Sequence, residues 1–186
     1  MIITPTDLDG VLIIEPKVFG DVRGFFLETY HFERYRQAGI GERFVQDNHS
    51  RSDKGVLRGL HFQQPMAQGK LVSVIRGAIY DVAVDIRSNS PTFGRWAGIE
   101  ITDDNHRQLW VPPGFAHGFL TLSDETDVTY KCTDYYAPEH EYVLAWNDPD
   151  VGIVWPNLGS APRLSEKDRT GLGLAKVRTF VTQQES

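Results

Sequence analysis

The sequence is poor in cysteine, in long apolar runs and in positive charge, and each shortage excludes something. Cys132 is its single cysteine, so neither an internal disulfide nor a multi-thiolate metal site can form, and a reducing compartment is expected. No stretch reaches the roughly 18 consecutive apolar residues of a membrane span. The opening run Met1 to Asp7 has no basic start and no apolar core, so a cytoplasmic location is expected, with no membrane partner. Lys and Arg total 19 against 25 Asp and Glu, a formal net charge of −6, which argues against nucleic acid as a partner. An anionic small ligand is still compatible, because a pocket can be basic on an acidic protein. Several signatures of known chemistry are also missing. No Gly-x-Gly-x-x-Gly follows a strand, Gly69-Lys70 lacks the rest of a phosphate-binding loop, and no Gly-x-Ser-x-Gly elbow occurs. His140-Glu141 could open a zinc-protease helix, but Leu144 stands where the second histidine is needed. His61 has Gly59 and Gln63 two residues away, where a metal-binding cupin strand would carry another histidine. The metal reading is thereby weakened, leaving only a convergence of His49, His61 and His117 in space.

What is present is a strand-rich chain of 186 residues, with 40% hydrophobic and 24% charged residues, as suits one globular domain over 1–186. From Ala78 to Arg87 the chain alternates strictly: Tyr80, Val82, Val84 and Ile86 on one face, Asp81, Ala83, Asp85 and Arg87 on the other. That is the period of a half-buried strand. Lys70 to Ile75 reads as another strand, with Arg76-Gly77 as a turn between the two. Further short strands are expected at 11–14, 24–29, 45–50, 56–62, 96–102, 108–111, 118–122 and 127–132, many of them separated by Gly, Pro, Asn or Asp. Only two stretches look helical: His31 to Ala38, closed by Gly39, and a turn begun by the cap-like Ser165. The last dozen residues are expected to fray. Many short strands point to an all-β fold, a jelly roll or small barrel with a few short helices.

Four segments set polar residues inside apolar strands, where burial without partners is costly. They are Phe19 to Glu28, Gln46 to Ser50 running on to Leu57 to Gln63, Val111 to Phe119, and Tyr130 to Glu141. The runs Gly55-Val-Leu-Arg-Gly-Leu-His-Phe-Gln63 and Trp110-Val-Pro-Pro-Gly-Phe-Ala-His-Gly-Phe119 are specific. On these, the chain resembles the dTDP-4-dehydrorhamnose 3,5-epimerase family from about Phe19 to Asp168. Phe62 departs from it, standing where a tyrosine is common. The resemblance implies a cupin-like jelly roll, a homodimer with exchanged N-terminal strands, a dTDP-sugar substrate, no cofactor, and a place in the making of activated rhamnose.

The residues can be read against that chemistry. A 4-keto sugar has acidified C–H bonds at C3 and C5, and inverting either centre needs a base, a stabiliser for the enolate oxygen and an acid on the opposite face. His61 suits the base, since histidine titrates near neutrality. Asp168 suits the partner that orients its ring, Tyr130 the acid, and Lys70 the charge for the oxyanion; the assignments of Asp168 and Tyr130 lean on the resemblance. Arg58 and Arg23 suit the diphosphate, with His117 and Lys167 as further candidates. Tyr136 and Phe19 could stack on the thymine, with Glu28 and Gln46 at its edge. By the resemblance, Phe19, Arg23 and Glu28 reach into a partner's site, and Asn48 and Glu141 contact substrate. His49 is read as a supporting residue, Cys132 as a buried inert thiol, and Asp81 and Asp85 as partners of basic neighbours.

Arg58 and His61 are three apart, so a regular strand would turn them to opposite faces. Both can line one pocket only if the strand is irregular, and Gly59 is the place for a bulge. Competing readings are a single-centre epimerase or keto-isomerase on the same scaffold, a metal-dependent dioxygenase, and a silent sugar-nucleotide binding module.

Overall fold

The structure is a computed structural model that describes residues 1–184. Thirteen strands form two main sheets and a hairpin. In chain order they are β1 (Ile2–Pro5), β2 (Leu12–Glu15), β3 (Val18–Asp21), β4 (Gly24–Leu27), β5 (Gln46–Asp53), β6 (Leu57–Gln63), β7 (Lys70–Arg76), β8 (Ala78–Asp85), β9 (Trp96–Thr102), β10 (Gln108–Val111), β11 (Phe115–Thr121), β12 (Glu125–Cys132) and β13 (Glu141–Val143). One sheet runs β1-β2-β10-β7-β12-β5, the other β13-β6-β11-β8-β9, and β3 pairs with β4 alone. Their pairings are antiparallel throughout. The helices are α1 (Phe32–Gln37), α2 (Glu166–Arg169) and α3 (Leu174–Gln184).

The two sheets face one another across a core that includes Val72, Val74, Ile79, Ala83, Leu109, Phe115, Phe119 and Val128. This is the expected all-β jelly roll. The turn at Arg76-Gly77 does not close a hairpin: β7 lies in one sheet and β8 in the other, so the turn is a corner between layers. Gly77 sits at φ +81°, and a Cβ there would fall 2.3 Å from Ser123 Oγ and 2.5 Å from the Glu125 carbonyl, so only glycine fits the corner.

Two expectations need correction. Strand β8 is not half-buried. Its apolar face, with Val82, Val84 and the following Ile86, packs under Val177 and Val181 of α3. Its other face points between the sheets, where Asp81 and Asp85 are fully buried. Alternation reports two chemically different faces; a third layer decides whether both are covered. The tail is not frayed either, because α3 provides that layer. Leu174, Val177 and Val181 recur at helical spacing, with Phe180 set against Tyr142 at 4.1 Å between ring centres. The last two residues of that stretch, Glu185 and Ser186, lie outside the described residues. Among the described residues no helix is long and apolar enough to cross a membrane.

Candidate active site

Polar side chains from both sheets meet in a cleft of about 330 Å³. From β5 come Gln46, Asn48 and Ser50, every second residue of a strand whose inward face is polar at this end. Strand β6 gives Arg58 and His61, β7 gives Lys70, β11 gives His117, and β12 gives Tyr130. Tyr136, Glu141 and Lys167 complete the wall from the segments beyond β12 and from α2.

The bulge expected at Gly59 is present. Arg58 pairs with Phe119 and His61 with His117, so three steps on β6 match two on β11. The extra residue brings Arg58 and His61 to the same cleft. Gly59 has φ +120°, and a Cβ on it would lie 2.6 Å from Gly118 Cα. The glycine therefore permits both the backbone turn and the close approach of β11.

His61 Nε2 lies 2.6 Å from Asp168 Oδ1. Asp168 is buried at the first turn of α2, where Ser165 caps the helix: its Oγ accepts from the Asp168 N–H at 3.2 Å and donates to Asp168 Oδ2 at 2.7 Å. Burial alone would raise the Asp168 carboxyl; bonds from His61, Ser165 and the Gly59 backbone instead hold it below the usual carboxylate range. Burial pulls His61 below the ordinary histidine value, with Asp168 opposing that shift.

Lys70 is 9% exposed and makes no hydrogen bond or ion pair among the described residues. Burial pulls its ammonium below the usual lysine range. A buried lysine that lines the cleft and has no carboxylate bonded to it is a site prepared for negative charge. Burial pushes the Tyr130 phenol up, so it holds its proton at neutral pH. His117 lies in the wall of the cleft. It is 6% exposed, with Nε2 2.7 Å from Asp81 Oδ1. Asp81 Oδ2 has no partner. Asp85 is held by Arg87, Ser90 and Thr92, so both strand carboxylates are partnered largely as expected.

At the mouth, Glu141 Oε2 accepts from Tyr136 OH at 2.8 Å and from Lys167 Nζ at 2.6 Å. Burial would raise the Glu141 carboxyl, but these bonds bring it below its usual value, and the same carboxylate pushes the Tyr136 phenol up to about 12. Gln46 Oε1 accepts from the Tyr136 backbone N–H at 2.9 Å, and Gln46 Nε2 donates to Asn48 at 3.0 Å. Arg58 reaches Ser52 Oγ at 3.0 Å.

Three of the expected site residues lie elsewhere. Phe19 and Arg23 belong to the exposed β3–β4 hairpin, Arg23 bonded to Asp21, and Glu28 pairs with Arg34. None of them lines the cleft of their own chain. His49 is outside it too: its side chain is 59% exposed and bonds Asp127 on the outer wall, so the three histidines do not converge. Among the described residues no group of three or more His, Cys, Asp or Glu is placed to hold a metal ion. Cys132 is buried beside Lys70 and Asn48, and burial raises its thiol, as suits an inert residue. Ser50, Gln68 and Asp81 were missed as site residues. The alternation Gln46, Asn48, Ser50 was the signal for the first, and Gln68 shares the face of Lys70 two residues on.

Comparison with known proteins places the whole chain. A family model described as dTDP-4-dehydrorhamnose 3,5-epimerase matches residues 5–176. A relative of that name from Methanothermobacter thermautotrophicus is 55% identical over 88% of this chain and 89% of its own. Another, from Pseudomonas aeruginosa, is 53% identical over 93% of this chain and 96% of its own. A crystal structure of a dTDP-6-deoxy-D-glucose-3,5-epimerase from Legionella pneumophila, in complex with dTDP-4-keto-L-rhamnose, superposes with a TM-score of 0.90 at 53% identity, covering 94% of this chain and 95% of that one. With nearly the whole length matched at more than half identity, this chain belongs to the dTDP-4-dehydrorhamnose 3,5-epimerase family.

Proposed function

We propose that this chain inverts C3 and C5 of dTDP-4-dehydro-6-deoxy-D-glucose to give dTDP-4-dehydro-L-rhamnose. The observation that carries the reading is the His61–Asp168 pair, 2.6 Å apart, facing a cleft that also holds a buried unpaired lysine and a protonated tyrosine. His61 takes the proton from the carbon beside the ketone, and the C–H electron pair moves into the enolate. Asp168 holds the ring and stabilises the imidazolium. Lys70 meets the negative charge that develops on the C4 oxygen, in a place where little water competes. Tyr130 returns a proton from the other face. His61 then releases its proton to water and Tyr130 regains one from water, and repeating the cycle at the second carbon completes the double inversion. This chemistry needs no redox partner, because each centre loses and regains one proton.

The nucleotide is held at the mouth. Arg58 and Lys167 there, with His117 deeper in the wall, suit the diphosphate, Tyr136 stacks on the thymine, and Gln46, Asn48 and Glu141 bond the substrate's polar edges. A homodimer supplies the rest. Val18, Phe19, Val22, Phe25 and Phe26 are exposed on the β3–β4 hairpin, which pairs with no other strand. A two-stranded hairpin with bare aromatics gains stability only by packing against something else. A second copy fits, with Phe19, Arg23 and Glu28 entering its cleft. The buried thiol Cys132 suits a cytoplasmic setting.

The test is to give chelator-treated protein the 4-keto-6-deoxyglucose nucleotide and read the product's configuration from ring-proton couplings. Inversion at both carbons is expected. Inversion at one alone would make the chain a single-centre epimerase, a moved carbonyl would make it a keto-isomerase, and unchanged substrate would overturn the proposal.

A further inference from the structure

Glu141 stands beside the His61 ring, away from Asp168. Its side chain is 11% exposed and its Oε1 lies 4.0 Å from His61 Nδ1. That oxygen bonds nothing among the described residues, while Oε2 is fixed by Tyr136 and Lys167. A carboxylate held by two donors on one oxygen and left bare on the other, toward a half-buried imidazole, is arranged to act on that imidazole.

We propose that Glu141 is a positioning residue for proton abstraction, its free oxygen stabilising the imidazolium that forms on His61 while Tyr136 and Lys167 hold it in place. The inference rests on His61 being the base. Since Asp168 occupies Nε2, Nδ1 is the nitrogen left to receive the substrate proton. As the C–H bond breaks, the proton goes to Nδ1 and the bonding pair stays with the enolate. The ring is then a cation in a largely dry site, with Asp168 on one edge and Glu141 beside the other. Opposite charges about 4–6 Å apart favour the charged form markedly in such a place.

The groups facing His61 are Asp168 and Lys167 from α2, Lys70 from β7, His117 from β11, Tyr130 from β12, Glu141 from β13, and Arg58 on its own strand. Asp168 favours the imidazolium; Lys70 and Lys167 oppose it. Glu141 adds a second favourable carboxylate and is itself bonded to one of the opposing lysines. Removing Glu141 and removing Lys167 therefore act in opposite directions on the same ring.

The test is an NMR titration of the His61 ring in full-length protein labelled with nitrogen-15 histidine, without substrate, for wild type, Glu141→Gln and Lys167→Met. Glu141→Gln is expected to lower the His61 pKa by about one unit, and the acid limb of kcat/KM moves down with it. Lys167→Met raises both. An unmoved ring titration in Glu141→Gln, with the loss confined to KM, would overturn the inference and leave Glu141 as a substrate contact. Should the glutamine variant fail to fold, Glu141→Asp, which keeps the charge but draws it back from Nδ1, is read in its place: a smaller downward shift of the His61 titration supports the proposal and none overturns it. Because the ring is read directly, failure of the epimerase reading would show separately, as wild-type protein that exchanges no sugar proton.

Discussion

Asp168→Asn keeps the size of the side chain that holds His61 and removes its charge. In the wild-type site the carboxylate serves two donors at once, His61 Nε2 at 2.6 Å and Ser165 Oγ at 2.7 Å. Asparagine offers one oxygen for the two, and its amide hydrogens meet a donor at the other position. A hydrogen bond to a charged group contributes about 1.5–3 kcal/mol. At about 1.4 kcal/mol per factor of ten, its loss slows the chemistry about 10- to 150-fold. The loss belongs in kcat, because the imidazolium that Asp168 stabilises exists in the transition state and not in the bound substrate. The assay is the initial rate of deuterium entry at saturating substrate, with thermal unfolding run alongside to confirm the fold. A variant with kcat within twofold of wild type, or one whose defect lies wholly in KM, would refute the reasoning.

Other expectations follow from the same geometry. Lys70→Met removes a buried, unpaired charge, so its melting temperature rises by a few degrees while kcat falls on the order of a hundredfold; a variant that melts lower and keeps its rate would contradict the role given to Lys70. Gly59→Ala places a methyl against Gly118 at a backbone angle that favours glycine, and chemical denaturation is expected to show a loss of about 2–5 kcal/mol. Val181→Asp sets an unpaired charge beneath α3 and costs more than about 3 kcal/mol, read as a large fall in melting temperature. His61 is depressed below 6.5 by burial, so kcat/KM holds as pH drops through 6.5 and declines only below it. The unfolded chain then binds the proton that the folded site resists, and His61 subtracts stability as pH falls through 6.5 toward its folded value. Asp85, Glu141 and Asp168, with depressed carboxyls, contribute stability that is present above the unfolded carboxylate range and lost as pH falls through their folded values. A plot of melting temperature against pH checks both.

Much of this was legible in the chain. Every expected strand is present, most within a few residues, because Gly and Pro punctuate them and alternation marks their faces. The tightest sequence inference was the bulge: Arg58 and His61 had to share a pocket, their odd spacing forbade it on a regular strand, and Gly59 was the residue able to resolve the conflict. The helix α3 was missed although Leu174, Val177, Phe180 and Val181 recur at helical spacing. Nothing local announces that Val177 and Val181 will cover the back of β8. For the same reason β8 read as half-buried. Pairings across long sequence separations, such as His61 on β6 with Asp168 on α2 and His117 on β11 with Asp81 on the adjacent β8, depend on which elements the fold sets side by side and were reached through the family resemblance or missed. Phe19, Arg23 and Glu28 stand apart from their own chain's cleft.

The central claim is that His61 removes the protons next to the ketone at both carbons. It is tested most directly by incubating the chelator-treated protein with dTDP-4-keto-6-deoxyglucose in heavy water and following C3 and C5 by proton NMR, for wild type and His61→Ala. Deuterium entering both positions in the wild type, and neither in the variant, is the predicted result. Exchange that persists in His61→Ala, or that never occurs in the wild type, would contradict it.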